Sequence, residues 1–131
     1  MVLIFGGAYQ GKLDYARACF NIDKVSDCAG GAEPDFGADC ICNIEEFVME
    51  CVKEGVEARD WFEARRSLWD GEEGSGKAQK IFIVTDTSQG VVPIDRDVRA
   101  FREMNGRLLL YLSKNAQQVH RVFCGIGKRI K

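Results

Sequence analysis

The sequence predicts a three-layer α/β domain with a mainly parallel sheet, and three observations lead to this fold class. The apolar run at residues 2–5 stops at two glycines, as a buried parallel strand does where it enters a loop. Residues 6–12 then match the pattern G-x-x-x-x-G-K of a phosphate-binding loop, or P-loop. Strand-like apolar runs alternate with helical segments along the rest of the chain, an order typical of parallel strands covered on both faces. The prediction is therefore one P-loop nucleotide-hydrolase-like domain over residues 1–131.

The elements of the first half follow from local patterns. A helix is expected over residues 14–20, after the glycine-rich loop. Residues 21–38 contain glycines and a proline with little apolar pattern, so they are predicted as loop with a short strand near 24–28. The apolar run at 40–42 predicts a further strand. It leads into a helix whose apolar residues recur at helical spacing: Ile44, Phe47, Val48, Cys51 and Val52.

Both ends of that helix have their own signals. Asn43 is expected as the N-cap residue, and Glu45 and Glu46 stand in the first turn, where the helix dipole favours negative charge. Gly55 is expected to end the helix.

Four elements are predicted in the second half of the chain. A helix is expected over 57–69, with an apolar stripe rich in aromatic residues. The β-branched and aromatic run at 81–84 is the strongest strand pattern in the chain. A long helix over 95–115 follows, and 119–124 is predicted as the last strand.

Composition and charge exclude several classes of function. The formal net charge is -2, which provides no electrostatic reason to expect nucleic acid or an anionic membrane as a partner. No apolar run approaches the roughly 20 residues that a membrane span needs, and the first apolar run is too short for the core of a signal peptide. A cytoplasmic protein is expected.

The cysteines predict packing rather than metal binding. The chain has six cysteines and one histidine, without a C-x-x-C pair. Free thiols that act as small apolar side chains in a reducing compartment are the expectation. Cys40 and Cys42 alternate with Ile41, so both thiols are expected on one face of a strand.

The glycine-rich loop carries the chemistry predicted for this chain. Glycines let successive N–H groups turn toward phosphate oxygens, the helix that follows adds a partial positive charge, and Lys12 adds a full one. The simpler alternative is a turn between strand and helix with a surface lysine. We expect the loop to bind the phosphates of ATP or GTP through Gly6, Gly7, Ala8, Tyr9, Gln10, Gly11, Lys12 and Leu13.

The residue after the lysine departs from the motif. A serine or threonine hydroxyl holds Mg²⁺ at this position in P-loop enzymes, whereas Leu13 stands here. Asp14 is one residue further and would point elsewhere on the helix. The loop is therefore predicted to lack its usual magnesium ligand, and the sequence assigns no metal-binding residue.

Several segments together resemble one protein family. Residues 4–12, IFGGAYQGK, resemble the V-T-G-G-A-R-S-G-K-S opening of the adenosylcobinamide kinase/adenosylcobinamide-phosphate guanylyltransferase family. Residues 83–86 and 90–93, IVTD and GVVP, are similar to its V-T-N-E-V-G-x-G-I-V-P segment. Residues 99–107, RAFREMNGR, are similar to its R-x-F-R-D-x-x-G-R segment, and residues 125–131 to its C-terminal end. The resemblance covers about half of the chain, in the family's order.

This resemblance implies a P-loop enzyme of cobalamin biosynthesis. The family phosphorylates adenosylcobinamide with a nucleoside triphosphate, attaches GMP through a histidine, and assembles as trimers. Carried over by position, residues 6–12 would hold the nucleotide phosphates and the 90–93 loop would line the same cleft, with a corrinoid and further copies of the chain as partners. Lys12 and Asp86 would be the catalytic residues, Asp86 being the acid that could replace a missing metal ligand.

The departures from the family bear on catalysis. His120 is the only histidine; it is expected to be a strand-edge residue and does not correspond to the histidine that carries GMP. The acid that ends the family's middle strand aligns with Cys42, or with Asn43 if the register shifts by one residue. The glutamate of the later loop is lost at Thr87. Together with Leu13, these losses predict nucleotide binding with reduced or lost catalysis and no guanylyl transfer.

Three functions are left open. The first is a relative without catalysis that binds a nucleotide, phosphate or corrinoid and acts as a regulatory or carrier subunit. The second is an active kinase of the adenosylcobinamide type that uses Asp86 or Asp14 as a metal ligand. The third is a P-loop scaffold that no longer binds nucleotide and acts through association with other proteins. Packing against the sheet is the simpler expectation for its candidate interface: Trp61, Phe62, Leu68 and Trp69.

Overall fold

The computed structural model describes residues 1–71, 79–87 and 95–131, which form a six-stranded sheet with helices on both faces. The strands are β1 (Val2–Gly6), β2 (Val25–Asp27), β3 (Cys40–Cys42), β4 (Ile81–Thr85), β5 (Gln118–Phe123) and β6 (Ile126–Arg129). The helices are α1 (Lys12–Cys19), α2 (Ile44–Glu54), α3 (Ala58–Ala64), α4 (Arg66–Trp69) and α5 (Arg96–Asn115), and a 3₁₀ turn spans Ala29–Gly31.

The sheet is parallel except at one edge. Its strand order is β2-β3-β4-β1-β5-β6; β6 runs antiparallel to β5, and the other neighbouring pairs are parallel. β1 lies in the middle, with Val2 in register with Ile81 of β4 on one side and with Gln118 of β5 on the other. The predicted α/β class and mainly parallel sheet are confirmed.

Alternate residues of β1 divide the core into two layers. Val2 and Ile4 pack with Ala16 of α1 on one face of the sheet. Leu3 packs on the other face, where Leu108 of α5 belongs to a larger cluster formed with α2 and α3. Because successive side chains of a strand point to opposite faces, both faces of this apolar strand require a covering helix. Across the described ranges, no helix is both long and apolar enough to cross a membrane.

All six cysteines are free thiols, as predicted, and four of them are buried, but Cys19 and Cys124 are exposed and do not pack as predicted. Cys40 and Cys42 belong to the cluster beside α1 and Ile41 to the opposite cluster, which confirms the predicted alternation along β3. Burial raises the pKa of Cys28 and of Cys40 to about 12. These thiols therefore stay protonated at neutral pH and pack as small apolar side chains.

The helix predicted over 57–69 is wrong, because two short helices, α3 and α4, stand in its place. In one continuous helix the carbonyl of Phe62 would accept the N–H of Arg66. It accepts instead the N–H of Arg65 at 3.1 Å and the indole N–H of Trp69 at 2.9 Å. Phe62 and Trp69 are both buried, so the aromatic stripe of this segment is mainly core, which was the simpler expectation.

The strand predicted at 119–124 is confirmed as β5, but the prediction that it is the last strand is wrong. The chain turns at Cys124 and Gly125, whose φ angles are 50° and 75°, and returns along β5 as β6. Two positive φ angles are typical of the tight turns that join antiparallel strands. β5 is therefore an interior strand, and His120 lies within the sheet. The prediction that His120 is a strand-edge residue is wrong.

The residues before two of the helices play different parts. Asn43 precedes α2, as predicted, but its side chain does not cap the helix. Its φ is 55°, and its amide donates to Asp27 Oδ1 at 2.8 Å, which links the ends of β2 and β3. Asp95 precedes α5 and does cap it, because its carboxylate accepts the N–H groups of Asp97 and Val98.

Candidate functional site

The carboxyl ends of β1 and β4 form the edge of the sheet where a ligand is expected. These strands are neighbours, yet the helices that follow them, α1 and α5, pack on opposite faces. Such a divergence opens a crevice between the two strand ends, and ligands of open α/β sheets bind in crevices of this kind. The glycine-rich loop lies here, between β1 and α1.

Close packing and positive φ angles shape this loop. Gly6 lies so close to β5 that a Cβ atom on it would stand 2.3 Å from the carbonyl oxygen of Val122. Gly11 has a φ of 79° and directly precedes α1, whose start has no side-chain cap. Tyr9 also has a positive φ, of 57°, and its side chain is fully exposed. The first N–H groups of α1 are therefore left without a capping side chain.

Gln10 joins the loop to the turn between β5 and β6. Its side-chain Oε1 accepts the N–H of Cys124 at 2.6 Å, and its backbone carbonyl accepts the N–H of Gly125 at 2.8 Å. The two bonds hold the loop against the hairpin from one side. The sequence alone did not indicate this contact, because it depends on a strand, β6, that was not predicted.

Lys12 begins α1, and its side chain turns back into the loop. Its Nζ donates to the carbonyl of Gly7 at 2.7 Å, and the residue is only 9% exposed. Burial lowers the pKa of Lys12, and the negative charge of Glu45 opposes that shift. Lys12 is thus not the surface lysine of the simpler alternative. An ammonium group has three N–H donors, and an oxyanion is a strong acceptor for them.

Glu45 brings a carboxylate to the same edge of the sheet. It lies in the first turn of α2, is 8% exposed, and its Oε1 accepts the N–H of Thr85 at 2.8 Å. The sequence indicated only a helix-dipole role for it. The available signal was its position, since the first turn of a helix after a parallel strand lies at the carboxyl end of that strand, but Glu46 shares this position and is exposed.

Asn105 makes further polar contacts at the end of β4. It comes from α5 and is fully buried, and its Nδ2 donates to the carbonyl of Thr85 at 3.0 Å and to Thr87 Oγ1 at 3.2 Å. Its Oδ1 has no hydrogen-bond partner among the residues that the structure describes. From the sequence alone no role was predicted for Asn105.

The residues predicted around a metal position differ in what they offer. Leu13 packs against the apolar cluster beside α1. Cys42 is buried, and burial raises its pKa to about 11, so it is a neutral thiol at physiological pH. Asp86 donates its backbone N–H to the carbonyl of Gly6 at 2.8 Å, which places it beside the loop. The segment 90–93, expected to line the cleft, lies outside the described residues.

His120 lies on the side of β5 that faces α1, in contact with Tyr15. Tyr15 Oη and His120 Nδ1 are 2.7 Å apart, and His120 Nε2 lies 3.0 Å from Gln118 Oε1. Burial lowers the pKa of His120, and the charge of Arg129 lowers it further. A neutral ring can accept a hydrogen bond from the Tyr15 hydroxyl at Nδ1 and donate one from Nε2–H to Gln118 Oε1. These contacts give His120 a structural role.

The buried ring should make stability depend on pH through His120. Its pKa is lower in the folded chain than in the unfolded chain, so below about pH 6.5 the unfolded state binds more protons. The free energy of unfolding should therefore fall as the pH drops from about 6.5 toward the folded-state pKa. Urea unfolding at pH 7.5 and 5.5 should show a smaller loss for His120→Gln than for wild type. Equal losses in the two proteins would contradict this prediction.

Comparison with known proteins shows no family for this chain. No protein-family model matches the sequence, and no curated protein matches it.

Proposed function

We propose that the chain binds ATP or GTP through the phosphate loop formed by residues 6–12. The observation that carries this proposal is the buried ammonium group of Lys12, held inside a glycine-rich loop at the start of a helix. The lysine and the positive end of the α1 dipole both attract an anion to the same position, in a crevice at the carboxyl edge of the sheet. Phosphate oxygens suit such an arrangement.

We further propose that the chain is a divergent relative of the adenosylcobinamide kinase/guanylyltransferase family with reduced or lost catalysis. Leu13 and Cys42 support the reduced catalysis, because neither provides the oxygen ligand that Mg²⁺ prefers. His120 supports the loss of guanylyl transfer, since its buried ring is engaged with Tyr15 and Gln118. A corrinoid partner, a trimer and a cytoplasmic location stay predictions.

An active kinase is the second candidate, and Glu45 favours it. Its buried carboxylate lies at the edge of the sheet that holds the loop, where it could position a cation or a nucleophile. A single-turnover assay with γ-labelled ATP and cobinamide separates the two candidates. Transfer above the background of Lys12→Met would support the kinase, and transfer equal to that background would exclude it.

Calorimetric titration with ATP and with GTP tests nucleotide binding. Wild type should bind at least one of them with saturable heat. Lys12→Met should bind it at least about tenfold more weakly, because losing charge-assisted hydrogen bonds to phosphate costs more than the roughly 1.4 kcal/mol that a factor of ten represents.

The matched control is Lys53→Met, which removes an exposed lysine from the last turn of α2. This variant should bind nucleotide as wild type does. Wild-type protein that produces no heat with either nucleotide at several millimolar would contradict the proposal, and equal affinity of wild type and Lys12→Met would remove the phosphate loop as its basis.

A further inference from the structure

At the carboxyl end of β4, on the side of β3, two side chains rather than a paired strand form hydrogen bonds with the backbone. The ladder between β3 and β4 ends at Phe82, so the backbone of Thr85 extends beyond it. Glu45 from α2 accepts the N–H of Thr85 at 2.8 Å, and Asn105 from α5 donates to its carbonyl at 3.0 Å. On the other side, Thr85 is in register with Gly6, the first residue of the phosphate loop. A carboxylate and an amide therefore converge beside that loop.

The amide of Asn105 lacks one hydrogen-bond partner. Within the described ranges its Oδ1 is buried without a donor, while its Nδ2 is shared between Thr85 and Thr87. Exchanging the amide oxygen and nitrogen would set the oxygen against the Thr85 carbonyl, so the present orientation is favoured. A buried acceptor without a partner is costly, and this one points to a donor missing from the site.

The carboxylate of Glu45 also acts on the loop through its charge. Glu45 lies close enough to Lys12 to raise the lysine pKa against the effect of burial. Water screens a buried charge weakly, so the field of Glu45 reaches a ligand in the loop. The phosphates of a nucleotide without a metal ion would bring several negative charges against it. A divalent cation on those phosphates would turn the repulsion into attraction.

We propose that Glu45 makes the phosphate loop selective for nucleotides complexed to a divalent cation such as Mg²⁺. The proposal rests on the nucleotide binding proposed above. Proteins bind Mg²⁺ through one or two carboxylates together with substrate phosphates and several waters. Glu45 provides a carboxylate ligand, which neither Leu13 nor Cys42 can provide. A water molecule bound to the cation is a hydrogen-bond donor, and a donor is what Asn105 Oδ1 lacks.

Titrations of ATP in Mg²⁺ and in EDTA, on wild type, Glu45→Gln and Glu46→Gln, test this role. In wild type, Mg²⁺ should strengthen ATP binding on the order of tenfold. In Glu45→Gln, ATP should bind more tightly than in wild type when EDTA is present, because one like charge is gone. The enhancement by Mg²⁺ should fall below about threefold, because the cation has lost its carboxylate.

Glu46→Gln is the matched control, because Glu46 lies in the same helical turn, is exposed, and accepts the N–H of Gly30 instead. It should keep the wild-type response to Mg²⁺. Glutamine at position 45 keeps an oxygen that can accept the N–H of Thr85, and thermal unfolding checks that the variant folds.

The possible failures are distinguishable. Equal ATP affinity of wild type in Mg²⁺ and in EDTA overturns the role of Glu45 while nucleotide binding stands, and this comparison needs no variant. A full Mg²⁺ enhancement in Glu45→Gln does the same. Absence of binding of both ATP and GTP by wild type under both conditions overturns nucleotide binding itself, and with it the role of Glu45.

Discussion

Gly6→Ala should destabilise the protein by about 3 kcal/mol or more. The added methyl group would stand 2.3 Å from the carbonyl oxygen of Val122, well inside contact distance. That oxygen belongs to the backbone of β5, which is in register with β1 at this position, so it cannot rotate away as a side chain would. Relief requires β1 and β5 to separate at this point. Urea unfolding followed by circular dichroism measures the loss.

Gly7→Ala is the control for this effect. It adds the same methyl group one residue further along, where the nearest atoms are in the Gln10 side chain at 3.5 and 3.8 Å. Those are ordinary contacts, so the loss of stability should stay below about 1 kcal/mol. A Gly6→Ala protein as stable as Gly7→Ala would contradict the close approach of β1 and β5 at the base of the loop.

The elements that were predicted correctly carry their information locally. β1, β3 and β4 are apolar runs, and α2 ends at Gly55, which adopts a φ of 70°. β6 has no such run, since a single isoleucine precedes glycine, lysine and arginine, and it forms because the turn at residues 124–125 returns the chain to β5. The break between α3 and α4 likewise depends on a contact between residues seven positions apart. Local patterns do not contain either event.

The candidate site likewise has a part that the sequence could predict and a part that it could not. The glycine-rich loop was predictable because its glycines and Lys12 are adjacent in sequence and follow an apolar strand. Glu45 and Asn105 come together only when α2 and α5 pack beside the end of β4. At about 100° per residue, Glu45 borders the apolar face of α2 beside Val52, whereas Glu46 lies on the opposite face. The helical pattern is consistent with the burial of Glu45 and the exposure of Glu46, but it does not contain the contact of Glu45 with Thr85.

Trp69→Ala should cost about 3–5 kcal/mol of unfolding free energy, as truncation of a large buried aromatic side chain does. Trp69 is 2% exposed and packs with Phe82 of β4 and Tyr111 of α5, at ring-centre distances of 5.6 and 6.2 Å. Its indole N–H also donates to the carbonyl of Phe62 at 2.9 Å. Removing the indole therefore leaves a cavity beside the sheet and a buried carbonyl with one acceptor bond fewer.

Two further variants separate packing from the hydrogen bond. Trp69→Phe keeps an aromatic ring but loses the indole donor, so it should cost less than Trp69→Ala and more than the control Leu68→Ala. Leu68 belongs to the same short helix and is 59% exposed, and its truncation should cost less than about 1 kcal/mol. Similar stabilities of Trp69→Ala and Leu68→Ala would mean that α4 does not pack on the sheet. If Trp69→Phe matched wild type, the bond to Phe62 would not account for the break between α3 and α4.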